Sequence, residues 1–308
     1  MKKSAFIFPG QGSQTIAMGK DFAQNFSIAK ETFEEANDVL KTNLSKLIFE
    51  GPLEELTLTK NSQPAIFIVS VAIAKVLNQQ LPSIRPSVCS GLSLGEYTAL
   101  WASGRISFQE ALLLVQKRAE LMNEACEKTT GTMAAVLGMS EELILKGLQG
   151  IDGVWIANYN CPNQIVISGT FSGVEAATSA LKALGAKRVI GLQVHGAFHS
   201  GLMESAEIGL SPYLDKMLIQ ASEIDFVMNV PGDFVQDPLK IKQFLKEQVT
   251  HSVRWQQGIC AIDAAGIDEY IEIGVGKTLL GLNKKMNLKA PTLSIEKVED
   301  LEMLACSC

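Results

Sequence analysis

Histidine is scarce in this sequence. Its 308 residues include three, His195, His199 and His251. With so few imidazoles and no clustered cysteines, no metal-ligand set is expected. The six cysteines form no paired framework. Cys89, Cys126, Cys161 and Cys260 are scattered among apolar residues, where free thiols act as small hydrophobes, and Cys306 and Cys308 form a lone pair at the extreme tail. That usage favours a reducing, cytoplasmic-type compartment. Long apolar runs are missing too. The stretch from Ala65 to Ala74 is interrupted by Ser70 and stops at Lys75, so it reads as a buried helix and not as a membrane span. The apolar run before Pro9, Ala5 to Phe8, is too short for a signal-peptide core. An excess of basic charge is also absent. The net charge of −6 argues against a nucleic-acid binder held by bulk charge, and any anionic partner would need a local basic patch.

Two nucleotide-binding loops are missing on inspection of their spacing. Gly10-Gln11-Gly12-Ser13-Gln14-Thr15 has Thr where G-x-G-x-x-G needs its third glycine. Gly276-Lys277-Thr278 would need Gly at position 271, where Ile stands. The first segment remains a loop whose backbone can approach another group closely.

Apolar residues make up 47% of the chain and charged residues 19%, which points to a well-filled core and away from disorder. The length suits one large α/β domain, or a large domain carrying a small one. A short strand is expected over Ser4 to Phe8, and helices over 27–41 and 61–80, the second opening at Gln63-Pro64. Ser107 and Glu110 form a capping box that opens a helix over roughly 108–127. From Gly131 to about Gly196 the rhythm changes. Strands at 133–137, 154–157, 164–168 and 188–194, with helices at 140–148 and 172–184, give the order β-α-β-β-α-β, with a turn-rich stretch over 158–163. That order is ferredoxin-like and reads as a small domain inserted into a larger one. The expected division is residues 1–130 and 196–308 for the large domain and 131–195 for the small one.

The most informative stretch is Val88 to Leu100. A β-prone segment enters Gly91-Leu92-Ser93-Leu94-Gly95 and continues into a helix pattern. This is the layout of a nucleophile elbow, in which a serine sits on a sharp strand-to-helix turn beside the free N–H groups of a helix start. A serine nucleophile needs a base, and three histidines compete for the role. His199 stands just before a helix and behind the apolar Ala197-Phe198, a setting suited to a pocket. No aspartate stands out to orient it, so a carbonyl or amide could, with Gln248 and Asn229 in suitable late loops. Arg118 lies in the middle of the apolar face of its helix, among Ala111, Leu114, Val115, Met122 and Ala125. A buried guanidinium needs a partner, either an internal carboxylate or carbonyls, or a ligand carboxylate gripped in bidentate fashion.

At this point the chain resembles the malonyl-CoA:acyl-carrier-protein transacylase family, the acyltransferases of type II fatty-acid synthesis. The resemblance rests on Phe8-Pro9-Gly10-Gln11-Gly12-Ser13-Gln14, Gly91-Leu92-Ser93-Leu94-Gly95-Glu96-Tyr97, Gln116-Lys117-Arg118, and Asn158-Tyr159-Asn160 with Pro162 and Gln164. It continues through Gly196-Ala197-Phe198-His199-Ser200, Gln248 with Val253-Arg254-Trp255, and Gly274-Val275-Gly276-Lys277. One position departs from the commoner pattern: Leu92 stands where many members have histidine before the nucleophile. The resemblance implies an α/β-hydrolase-like large domain with the ferredoxin-like insert. It implies Ser93 as nucleophile, His199 as base, Gln248 as the group orienting it, and the N–H groups of Gln11 and Leu94 as oxyanion hole. Arg118 would hold the malonyl carboxylate, with Gln63, Met122 and Phe198 lining the pocket. Malonyl-CoA and acyl carrier protein would be the partners, with Lys187, Arg188, Lys284 and Lys285 as the carrier's basic patch. The enzyme would be a monomer needing no cofactor, in the cytoplasm or the stroma-like compartment of an organelle. The competing readings are an acyltransferase of a polyketide pathway, a serine esterase or thioesterase, and a binding module without catalysis.

Overall fold

The computed structural model describes residues 2–194 and 196–305. Cys306 and Cys308 lie outside them. Among the described residues there are ten strands: β1 (Ser4–Phe8), β2 (Pro86–Gly91), β3 (Thr132–Leu137), β4 (Val154–Cys161), β5 (Gln164–Gly169), β6 (Arg188–Gly191), β7 (Asp225–Met228), β8 (Asp233–Phe234), β9 (Glu269–Ile273) and β10 (Thr292–Ile295). They form two sheets. The larger has the order β10-β9-β1-β2-β7-β8 and is parallel except for the short β7–β8 pair. The smaller has the order β4-β5-β3-β6 and is antiparallel.

A parallel sheet is covered on both faces, so its strands are apolar without a break. β1 shows the consequence. Phe6 and Phe8 point into the main core, while Ala5 and Ile7 face a second cluster with Trp255 and Ile259. The main core is threaded by the helix Thr59–Gln80, buried on nearly every side. That helix begins two residues earlier than the sequence pattern predicts, which leaves Pro64 inside its second turn. The helix Phe108–Lys128 packs beside it, opened by the predicted capping box: Ser107 Oγ accepts the Glu110 N–H and Glu110 Oε2 accepts the Ser107 N–H at 3.2 Å.

The small sheet alternates in a different way. Ala134, Val136, Ile165 and Ile167 pack under its own helices, Glu141–Leu148 and Phe171–Ala183. Met133 and Val166, one residue out of phase, join the main core. Period-two patterning thus gives one face to the small unit and the other to the large one. Two expectations fail here. The stretch 158–163 is not a long turn, because β4 runs on to Cys161 through two register shifts and leaves Pro162-Asn163 as the turn, with Asn163 at φ 61°. Pairing on both edges overrides the turn propensity of its asparagines. β4 hydrogen-bonds β5 on one side, and on the other Val253 N–H donates to Ala157 O at 2.8 Å while Tyr159 N–H donates to Val253 O at 2.9 Å. β6 ends at Gly191, three residues early, and Leu192, Gln193 and Val194 turn to line a cavity.

β2 delivers the elbow. Ser93 adopts φ 52°, in the left-handed region that a β-carbon disfavours. The turn closes because its flanks are glycine. A β-carbon on Gly91 would overlap the Gly95 carbonyl, and one on Gly95 would overlap the carbonyl of Phe8 on β1. Leu92 N–H donates to that same Phe8 carbonyl at 3.0 Å, which seats the turn on the neighbouring strand. Gly95→Ala should therefore destabilise the protein by about 3 kcal/mol, as overpacking against backbone does. Urea unfolding of the variant measures this, and a midpoint equal to that of the parent would contradict the close approach.

Candidate active site

Two later segments clamp the strained serine. Asn229, just after β7, accepts the Ser93 N–H on Oδ1 at 2.7 Å and donates from Nδ2 to Gly91 O at 2.8 Å. Behind the serine, the helix Gly95–Ala102 begins. The backbone N–H groups of Leu94 and Gln11 have no acceptor among the described residues. Gln11 belongs to the glycine-rich loop after β1, and a β-carbon on Gly10 would press on the Leu92 carbonyl, so loop and elbow lie side by side.

His199 comes to Ser93 from 106 residues away, its Nε2 2.8 Å from Ser93 Oγ. It too has a left-handed backbone, φ 57°, stabilised by Ser200, whose hydroxyl donates to Ala197 O at 2.6 Å and accepts the Leu202 N–H. Nδ1 lies 2.7 Å from the main-chain carbonyl of Gln248. A carbonyl can only accept, so Nδ1 carries the proton and Nε2 is free to take one from the serine. Gln248 thus meets His199 through its backbone and not through its side chain. Burial, with the Arg118 charge close by, pushes the imidazole down from 6.5 to about 4; hydrogen bonding to the backbone of Gln248 and His251 acts the other way.

Arg118 is 1% exposed and sits over the Tyr97 ring, 5.3 Å from its centroid. Nη1 donates to Gln63 Oε1, and Nη2 donates to Ser93 Oγ at 3.1 Å and to Gln248 Oε1 at 2.9 Å. Among the described residues no carboxylate lies within 4 Å of it. Burial lowers its proton affinity, and the nearby Tyr97 and Glu96 work against that. The Gln248 amide continues the chain of contacts: Nε2 donates to Ser93 O at 2.9 Å and to Glu96 Oε2 at 2.6 Å, while Glu96 Oε1 accepts the Asn229 N–H at 2.5 Å. Burial pushes the Glu96 carboxyl up to about 8, against these donors and the Arg118 charge. Glu96 is a site residue that the sequence motifs do not assign a role. Its signal was there, a lone charge three residues after the serine in an otherwise apolar and small-residue helix.

Ser93, Arg118 and His199 open on a cavity of about 480 Å³ between the two sheets. Met122 and Phe198 line it, as do Gln11 and Leu92 and, from β4, Asn158 and Asn160. Gln63 does not line it. That side chain is fully buried behind Arg118, its Nε2 3.6 Å from Met122 Sδ, because the helix carrying it runs through the core. Lys187, Arg188, Lys284 and Lys285 are exposed and outside the lining; Lys285 Nζ reaches Gln164 Oε1 at 3.0 Å, from the large unit to the small one. His251 is exposed, its Nδ1 3.0 Å from Glu247 O, and it does not line the cavity. His195 lies outside the described residues. Among the described residues no group of three His, Cys, Asp or Glu could hold a metal, and no helix is long and apolar enough to cross a membrane.

A serine on a strained turn, a neutral histidine at hydrogen-bond distance and idle backbone N–H groups beside a cavity are the equipment of acyl transfer through a serine ester. A family model described as the acyl transferase domain matches residues 5–292. The malonyl CoA-acyl carrier protein transacylase of Bacillus subtilis is 45% identical over 307 residues, covering 98% of this chain and 96% of that protein. The crystal structure of an acyl carrier protein S-malonyltransferase from Vibrio cholerae superposes with a TM-score of 0.93 at 39% identity, covering 98% of this chain and 99% of that one. A malonyl-transacylase solved in complex with its type II PKS acyl-carrier protein gives 0.95 at 35% identity, covering 99% and 100%. The chain belongs to the malonyl-CoA:acyl-carrier-protein transacylase family of acyl transferases.

The depressed histidine sets the pH behaviour. The neutral imidazole is the active form, so kcat/KM for acylation should hold from neutral pH down past 6.5 and fall only as pH approaches about 4. The unfolded chain binds a proton near 6.5 that the folded chain refuses until about 4, so stability is lost as pH drops through that window. Initial rates against pH check the first point; an acid limb centred near 6.5 would contradict it.

Proposed function

We propose that this chain transfers a malonyl group from malonyl-CoA to the phosphopantetheine thiol of acyl carrier protein, through a malonyl ester on Ser93. The observation that carries this reading is the position of Ser93 Oγ, 2.8 Å from His199 Nε2 and 3.1 Å from Arg118 Nη2. The base and a buried cation converge on one oxygen. In a malonyl thioester the carboxylate carbon is two bonds from the reacting carbonyl carbon. A group so short needs its nucleophile and its carboxylate partner in one pocket, which is what these distances provide.

In the first half-reaction His199 Nε2 takes the Ser93 proton as Oγ attacks the thioester carbonyl. The N–H groups of Gln11 and Leu94 receive the developing oxyanion. The C–S bond breaks, and the imidazolium returns the proton to the coenzyme A sulfur. In the second, the carrier thiol gives its proton to His199 and attacks the serine ester, and Ser93 leaves as the hydroxyl. Both halves balance without a further cofactor, since coenzyme A arrives as part of the substrate. Arg118 takes the malonyl carboxylate, Phe198 crowds the carbon between the two carbonyls, and Lys187, Arg188, Lys284 and Lys285 meet the acidic carrier. Met122 completes the apolar wall, which favours the thiol over water.

The same reading divides the chain into a hydrolase-like large domain of residues 1–130 and 196–308 and a ferredoxin-like insert of 131–195. The strand order β4-β5-β3-β6 and its antiparallel pairing support the insert. The unpaired, buried thiols of Cys89, Cys126 and Cys161 favour a reducing, cytoplasmic compartment. A carrier of a polyketide pathway is the second reading, favoured by the structural relative solved with such a carrier.

Intact-mass analysis after mixing with malonyl-CoA should show one malonyl adduct, absent in Ser93→Ala, that disappears when holo acyl carrier protein is added. Release of free malonate at a rate indifferent to the carrier would sink the transferase reading. Arg118→Ala should lower kcat/KM for malonyl-CoA by roughly a hundredfold, the loss of a buried charge-assisted contact, and lower that for acetyl-CoA far less. Equal losses would remove its assigned role.

A further inference from the structure

The mechanism leaves a buried acid close to the serine unused. Glu96 is fully buried and does not line the cavity described above, yet it ties together the two segments that hold the serine and its partners. Its Oε1 accepts the Asn229 N–H, and Asn229 in turn grips the Ser93 N–H. Its Oε2 accepts from Gln248 Nε2, and Gln248 meets both Arg118 and His199.

The decisive object is the Gln248 amide, whose two ends differ. As placed, its oxygen faces the Arg118 donors and its nitrogen faces two acceptors, Ser93 O and Glu96 Oε2. Turned over, the NH2 would face a guanidinium and the oxygen would face a carboxylate and a carbonyl. Both ends would then be mismatched on a fully buried side chain. A carboxylate at position 96 is what makes one orientation compulsory. It also supplies negative charge one amide away from Arg118: burial favours the protonated acid, but both oxygens accept N–H donors and neither faces an acceptor for an acidic proton, so the contacts fit the ionised form. A carboxylate in direct contact with the guanidinium would compete with the substrate's own. Interposing the amide steadies the cation and leaves its open side to the ligand.

We propose that Glu96 is a positioning residue for acyl selection. Through Gln248 it fixes Arg118 in the orientation that accepts a carboxylate-bearing acyl group. The proposal rests on the roles given to Ser93 and Arg118 above. Glu96→Gln keeps the shape but presents an NH2 where Gln248 or Asn229 offers an N–H.

The test compares malonyl-CoA and acetyl-CoA as donors to holo acyl carrier protein in the parent, E96Q, R118A and the double variant. In E96Q the malonyl-to-acetyl ratio of kcat/KM should fall about tenfold, the size expected for a misplaced buried contact to a charge, with the loss chiefly in KM for malonyl-CoA. Any disturbance of the Ser93 turn lowers both donors and cancels in the ratio. In the R118A background E96Q should leave the ratio unchanged, because the two act as one unit. Equal losses for both donors, or losses that multiply in the double variant, would overturn the proposal. If E96Q yields no folded protein, Glu96→Asp decides by the same ratio, with a smaller fall expected because the charge stays and only the reach shortens; an unchanged ratio there would count against the proposal. Failure of the parent to form a malonyl-Ser93 adduct would instead remove the transferase reading itself. A normal adduct with an unaltered ratio in E96Q would remove only the role of Glu96.

Discussion

A positive charge held out of water constrains everything around the catalytic serine. The Arg118 guanidinium is nearly inaccessible, and an isolated ion in such a place costs several kcal/mol unless its hydrogens are satisfied. The chain meets part of that cost with neutral oxygens at the two terminal nitrogens, and leaves Nε without a partner among the described residues. Gln63 and Gln248 turn amide carbonyls toward it, the serine hydroxyl takes a third hydrogen bond, and the Tyr97 ring lies beneath. None of these cancels the charge, so the site keeps an appetite for an anion. Burial chiefly keeps His199 neutral, and the same field adds to it, because a second cation beside Arg118 is unfavourable. Substrate preference and base strength are therefore linked through Arg118, although burial sets most of the latter.

The sequence carries some of this clearly and some of it not at all. Arg118 on an apolar helix face is a local anomaly, visible from spacing alone. Ser93 between Gly91 and Gly95 is visible for the same reason, since a strained turn leaves glycines where backbones must touch. What stays hidden is long-range. Gln248 could be placed near the histidine, but whether it acts through its carbonyl or its amide depends on the backbone path after the helix Pro238–Glu247. Gln63 looks like a pocket residue from its place at a helix start, and only the packing of that helix through the core turns it behind Arg118. Glu96 is a single buried acid with no partner nearby in sequence, because its partners are Asn229 and Gln248.

The small sheet was legible as a succession of elements and not as a set of contacts. Its order β-α-β-β-α-β follows from periodicity, while the length of β4 follows from pairing that periodicity cannot report. Val253 bonds to that strand only five residues beyond Gln248, whose carbonyl holds the histidine. The piece of chain that fastens the two sheets together is thus continuous with the piece that sets the base. The wall carrying Asn158 and Asn160 and the imidazole opposite share a common mounting.

The contacts made by Ser93 also span the chain unusually widely. Its hydroxyl reaches a histidine 106 residues on, and its carbonyl a glutamine 155 residues on, while the serine's own turn is seated on the first strand. No single stretch of sequence holds both of the polar groups that converge on that hydroxyl, His199 and Arg118. Turnover is accordingly a readout of complete assembly. A chain still being synthesised, or a partly folded one, has a correct serine and no enzyme, so it cannot squander thioester by hydrolysing it before the carrier can be served.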